Sequence, residues 1–254
     1  MPNWVTNHLY ITGPKDQRDA FLKAIGTEEN PVSFQKIKPM PECLNIVEGG
    51  DMQLAVWTAL RQEHNVPIAA IEFCNIFSWR YNTASRDDIA GLEERLNKLK
   101  AGPVAHEDRE VVYDGSTCPE TPVEYARWGR VYISNHQKYG VFSWYNWACE
   151  NWGTKWDACS GSLTREEDSD FICFDTAWSE PEGIADEMPR VLKDCGADDV
   201  KVEWKWAEEQ GFYGGIFNIS NNDIEESSFQ DSEEAFALCE EVIGYSYRTD
   251  GEES

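Results

Sequence analysis

The chain has 254 residues, 41% of them hydrophobic and 13% aromatic, with 47 Asp and Glu against 22 Lys and Arg for a net charge of −25. That length and apolar content are enough to bury a core, and they exclude wholesale disorder. The acidity excludes a cationic nucleic-acid-binding surface and an affinity for anionic membranes.

Taken in chain order, residues 4–11 alternate with Val5, Leu9 and Ile11 on one side, the pattern of a strand. Pro14 then opens a helix with Phe21, Leu22 and Ile25 as its apolar stripe and Gly26 as its stop. Pro31, Pro39 and Pro41 make the next stretch extended. A helix is expected from Met52 to Gln62, and a second with a Ser85/Asp88 capping box, a stripe of Ile89, Leu92, Leu96 and Leu99, and a Gly102-Pro103 stop. Residues 103–130 read mostly as loop, with short strands at 111–113 and 130–134.

Seven aromatics crowd residues 139–156. Phe142, Tyr145, Ala148 and Trp152 share a helical face ended by Gly153, a strand is expected from Lys155 to Cys159, and 160–170 reads as a polar loop. Phe171 to Trp178 is apolar on both faces, hence a central strand. Ser179 and Glu182 form a second capping-box pattern ahead of Ile184, Met188, Val191, Leu192 and Cys195, with Pro189 set to divide that helix. Val200, Val202, Trp204 and Trp206 alternate with charged residues, and a Glu208-Glu209-Gln210-Gly211 turn leads back through Phe212 to Ile219, a hairpin. A last helix capped by Asp231 and Glu234 presents Ala235, Leu238, Cys239 and Val242 and stops at Gly244; the tail from Asp250 is expected to fray.

This order predicts an α+β fold, a ferredoxin-like antiparallel sheet with helices on one face plus a long, mostly helical insertion. The expected divisions are 1–26 with 139–220 for the ferredoxin-like domain, 27–138 for the insertion, and 221–254 for an acidic C-terminal helix and tail. No run approaches the ~20 apolar residues needed to span a bilayer, and the first residues lack the basic start and apolar core of an export signal. A cytoplasmic location is therefore expected.

Five stretches in one order resemble the YubB-like family of bacteriophages and conjugative plasmids. They are Met1 to Asn7 with Ile11-Thr12-Gly13, Lys36 to Glu42, Glu150 to Trp156, Phe174 to Pro181, and Glu208 to Gly215. The resemblance covers residues 1–45 and 139–220. It implies a ferredoxin-like domain, no established activity, and a mobile-element product acting in a bacterial host cytoplasm, where accessory proteins of that kind often inhibit host defence.

Motifs for nucleophilic catalysis, phosphate cradling and zinc ligation are absent, so no catalytic residue, metal or cofactor is assigned. The eight cysteines, without a CxxC pair, read as structural thiols, and His106-Glu107-Asp108 as a solvated loop. Two features remain. From residue 160 onward there are 26 Asp and Glu against six Lys and Arg. Glu225, Glu226, Asp231, Glu233, Glu234, Glu240 and Glu241 are the expected contacts to a host defence protein with a basic, nucleic-acid-binding surface, imitating the phosphates of DNA. The competing reading of the same charge is solubility alone. The second feature is Asn151, Trp152, Lys155 and Trp156 with Asp175 and Trp178. Indole walls and one cation suit a base and its phosphate, so the alternative function is sequestration of a nucleotide immune signal. The plainer reading there places the three tryptophans in the core with Lys155 reaching past them.

Overall fold

A computed structural model describes residues 3–27, 29–49, 51–77, 86–99 and 119–247. The chain divides into two compact units, residues 1–39 with 148–254, and residues 40–147. The first is built on a six-stranded antiparallel sheet: β1 (Trp4–Thr12), β2 (Cys159–Arg165), β3 (Ser169–Ala177), β4 (Lys201–Glu208), β5 (Tyr213–Ile219) and β6 (Ile224–Gln230). Their spatial order is β2-β3-β1-β4-β5-β6. In β1 the register Asn7↔Phe174 and Asn7↔Trp206 aligns the buried residues of three neighbouring strands on one face.

That face carries Leu9, Ile172, Phe174, Trp204 and Phe217, all buried. Edge-to-face ring contacts run across it, Phe34 to Phe174 at 6.1 Å, Phe174 to Trp204 at 5.7 Å and Trp204 to Phe217 at 5.7 Å. Helix α1 (Lys15–Ile25) buries Phe21, Leu22 and Ile25 as the stripe predicts, and adds Arg18 to the same stripe. Arg18 is buried because its fork is fully used. It bonds Asp170 Oδ2 at 2.6 Å, Gly13 O at 3.0 Å and Glu167 O at 2.7 Å. Pro189 does divide its helix, into α8 (Glu182–Ala185) and α9 (Met188–Asp194).

Helix α10 (Glu233–Ile243) packs on the opposite face, where Ala207 meets Leu238, Cys239 and Val242, each aliphatic contributing roughly 1.5–3 kcal/mol by its burial. Ala207 and Trp206 are successive strand residues and point to opposite faces. Helices therefore do not cover one face only, a correction to the expected arrangement.

Other local expectations change. The extended stretch holds a short helix α2 (Phe34–Ile37) and a 3₁₀ turn at Glu42–Leu44. Residues 155–158 form no strand, because Asp157 caps α2: its Oδ1 accepts from Phe34 N at 2.6 Å and from Ala158 N at 2.8 Å. The strand falls instead on the supposed polar loop, as β2. Ser179 caps nothing; Pro181 precedes α8 and the Ser179 hydroxyl donates to Gly153 O at 2.5 Å. The cap of α10 is Ser232, whose Oγ accepts from Ala235 N at 3.2 Å, one residue beyond the expected Asp231. Strand β6 lies where only helix and tail were expected.

The second unit is helical among its described residues: α3 (Asp51–Glu63), α4 (Val66–Ile76), α5 (Arg86–Lys98) and α6 (Pro122–Tyr139), with α7 (Trp144–Asn151) crossing the division. Its core joins Trp57, Phe73, Phe77, Tyr132 and Phe142, with Leu92, Leu96 and Leu99 of the predicted α5 stripe packed on it. Two expectations give way here. Residues 130–134 belong to helix α6, opened by a Thr121/Glu124 capping box with Pro122 in its first turn. Phe142 precedes helix α7 rather than lying on it. Ser85, the 102–103 stop, the 111–113 strand, His106-Glu107-Asp108 and the tail from Asp250 lie outside the described residues.

Candidate functional site

Both groups of expected site residues belong to the first unit. Gly153, at φ +83°, ends the turn after α7 and lets the chain reverse so that Lys155 and Trp156 reach the sheet face opposite the aromatic core. There Lys155 Nζ stands 4.6 Å from the Trp156 ring centroid and 4.3 Å from that of Trp178. Trp4 adds a third indole, 6.1 Å from Trp156. Trp156 and Trp178 keep 36% and 45% of their surface exposed, which makes this an aromatic platform on the outside of the molecule. Trp178 adopts φ +79°, a left-handed conformation that costs a bulky residue about 1–3 kcal/mol, and its N–H donates to Asn3 O at 2.8 Å.

Asp175 lies on the same face, its Oδ1 accepting from Thr6 Oγ1 at 3.0 Å. Trp152 does not join them. It is buried against Phe34 at 5.7 Å and donates its indole N–H to Lys38 O at 2.9 Å. The backbone of Asn151 packs against Gly183. Lys155, Trp156 and Trp178 thus come together, with Trp4 added; Asp175 shares the sheet face through Thr6, and Asn151 and Trp152 are left out. Stacked between two indoles, the Lys155 ammonium is held by cation–π attraction of about 0.5–2 kcal/mol, and a phosphate approaching it meets the negative field of the whole chain.

The acidic group is built differently. Glu225, Glu226, Asp231, Glu233, Glu234, Glu240 and Glu241 are all exposed, on β6, the following turn and the outer side of α10. Glu241 bonds Lys205 Nζ at 2.7 Å and Glu240 accepts from the Ser246 hydroxyl at 2.7 Å. Glu225, Glu226, Asp231 and Glu234 form no ion pair among the described residues. Glu226 points to the aromatic-core side, the side of Glu180, Glu182, Glu208 and Asp186. Burial first, and then Glu182 and Asp186, push the Glu226 carboxyl up. Burial, and then Glu182, Glu226 and Glu208, do the same to Glu180. Tyr213 stands among them and its phenol is pushed up by burial and then by Glu180 and Glu226. Beside Tyr213, 4.9 Å away, Trp206 is fully buried and its Nε1 has no hydrogen-bond partner among the described residues.

On the other face, an open cavity of about 540 Å³ lies across the ends of β1, β4, β5 and β6, with Lys201, Glu203, Asp223 and Glu225 in its lining. Among the described residues no cluster of three or more His, Cys, Asp or Glu side chains is arranged to hold a metal, and no helix is long and apolar enough to cross a membrane. Sequence reasoning missed Glu180, Glu182 and Glu208 as neighbours of Glu226, because only the β5–β6 register brings them together, and it missed Trp4, whose strand position on the Thr6 face carried the signal. The chain matches no protein-family model, no curated protein and no solved structure.

Proposed function

We propose that the chain is a non-enzymatic, phage- or plasmid-encoded acidic protein of the bacterial cytoplasm that inhibits a host defence system by docking on a basic, nucleic-acid-binding protein surface. The observation that carries this reading is the run of exposed carboxylates on β6, the following turn and α10, four of which form no ion pair among the described residues. Uncompensated charge on one strand and one adjoining helix gives the directional potential that a cationic partner recognises and that DNA would otherwise supply. The same reading takes the first unit as ferredoxin-like. The order β2-β3-β1-β4 is that of a β-α-β-β-α-β fold, with β5, β6 and α10 appended at its β4 edge.

The experiment is affinity capture from a bacterial lysate at low and high salt, with duplex DNA as competitor. Recovery of a nucleic-acid-binding protein at low salt, lost at high salt and displaced by DNA, supports the reading. Salt-independent recovery that DNA does not disturb overturns it.

The exposed Trp156 and Trp178 favour a second reading, nucleotide sequestration on the aromatic platform. It requires tryptophan fluorescence to quench with cyclic nucleotides or dinucleotides and Lys155→Ala to remove the quench; a flat titration eliminates it.

A further inference from the structure

We propose that the outer edge of β6 is a strand-addition site that takes an extended, lysine- and arginine-rich segment of a partner protein. The inference rests on the acidic-face reading and specifies how that face is used.

Strand β6 is a terminal strand of the sheet. The phase of its hydrogen bonding follows from the two bonds that bracket the β5–β6 ladder, Ser220 N–H to Asp223 O and Asp231 N–H to Phe212 O, both 2.9 Å. With the register Asn218↔Glu225 and Ile216↔Ser227, residues 225, 227 and 229 bond inward to β5. The N–H and C=O groups of Glu226, Ser228 and Gln230 therefore turn outward. The outward amide of Ile224 is already taken by Asp223 Oδ1 at 3.0 Å, which places the start of the free edge at Glu226.

The two ends of the sheet are treated differently. At β2 the register shifts between Cys159 and Ser162, Ser160 sits at φ +55°, and the ring of Pro31 packs against Gly161. Bulges and proline are the usual devices that close an edge to further strands. Strand β6 has none of them: its pairing with β5 is regular from Ile224 to Gln230, and Glu225 to Ser228 are exposed.

What guards β6 is charge, and charge selects the occupant. Side chains of Glu226, Ser228 and Gln230 share the face that holds Glu180, Glu182 and Glu208, and Glu225 stands on the other face near Glu203 and Asp223. An added strand places its alternate side chains about 5 Å from Glu226, where a cation gains a cross-strand partner and relieves the mutual repulsion of the carboxylates. A second copy of this chain brings Glu225 and Glu226 against themselves, so edge-to-edge self-pairing is disfavoured. Backbone bonds supply affinity, and the carboxylates supply the preference for basic residues.

The test is fluorescence polarisation at low salt with the full chain and two labelled peptides of equal charge. One alternates Lys and Val; the other is the same sequence with every backbone amide N-methylated, so that neither of its edges can donate to a ladder. The proposal expects the first to bind and the second to bind about tenfold more weakly or less. Ser228→Pro removes one outward N–H and leaves the β5 bonds in place, and its fold is checked by circular dichroism. It weakens the first peptide about tenfold, as does Glu226→Gln. Equal binding of both peptides, or unchanged binding to a folded Ser228→Pro chain, overturns strand addition and leaves charge-only docking intact. Binding of neither peptide overturns the acidic-face reading as well. A dimer that Ser228→Pro dissolves overturns the choice of occupant.

Discussion

Glu180 gives the sharpest prediction at the scale of single residues. Its carboxyl is pushed up by burial and by Glu182, Glu226 and Glu208 from an ordinary value near 4.5, so the folded chain holds the proton more tightly than the unfolded chain does. Stability from such a group is fully present below the unfolded value and is lost as pH rises through the folded one. Glu180→Gln therefore raises the melting temperature at pH 7, and its advantage shrinks toward pH 4; an equal or lower Tm at pH 7 contradicts the account. Burial has the opposite sign at His8, whose imidazole is pushed down, so its contribution is lost on acidification below about 6.5. The buried polar residues were half legible in the sequence. Arg18 stands at the helical spacing of Phe21, Leu22 and Ile25, and Asn7 within the alternation of Val5, Leu9 and Ile11, so their positions pointed inward. Their partners were not visible. Asn7 bonds Val5 O and Thr176 Oγ1 and accepts from Trp204 Nε1, residues as distant as 197 positions in sequence.

Among the elements, α6 packs closely on α3 at Gly129. A Cβ added at Gly129 would stand 2.0 Å from Ala55 O and 2.8 Å from Ala59 Cβ. Gly→Ala inside a helix ordinarily gains up to about 1 kcal/mol, but here the overlap is with backbone and α6 must move. Gly129→Ala is expected to destabilise the chain by about 1–3 kcal/mol, read as a lower melting temperature or faster hydrogen exchange in α3 and α6. An unchanged melt shows that the two helices are not held at that separation. Elements with a clean period were legible: β1, α1, α5, the β4–β5 hairpin and the buried stripe of α10. Those that escaped did so for physical reasons. In α6 the Val-Tyr-Ile run favours a strand by composition, yet Tyr125, Trp128, Gly129 and Tyr132 keep a helical spacing that decides the matter. In α4, apolar on nearly all sides, Pro67 looks like an interruption but sits in the first turn behind the Asn65 cap. Strands β2 and β6 are half-solvated edges without alternation, and only pairing reveals them.

At the scale of the whole molecule, a net charge of −25 has to be either spread for solubility or concentrated for recognition. On β6 and α10 these carboxylates are exposed, and Lys205 is drawn to Glu203 and Glu241. The aromatic platform on Trp156 and Trp178 is engaged by the chain's own Lys155. The direct test of recognition is the salt dependence of affinity for the captured basic partner, measured for the natural chain and for one carrying Gln at Glu225, Glu226, Glu233 and Glu234. The account predicts that affinity of the natural chain falls steeply with salt while the substituted chain binds weakly with a shallow slope. Equal affinity and equal slope for the two chains would contradict it.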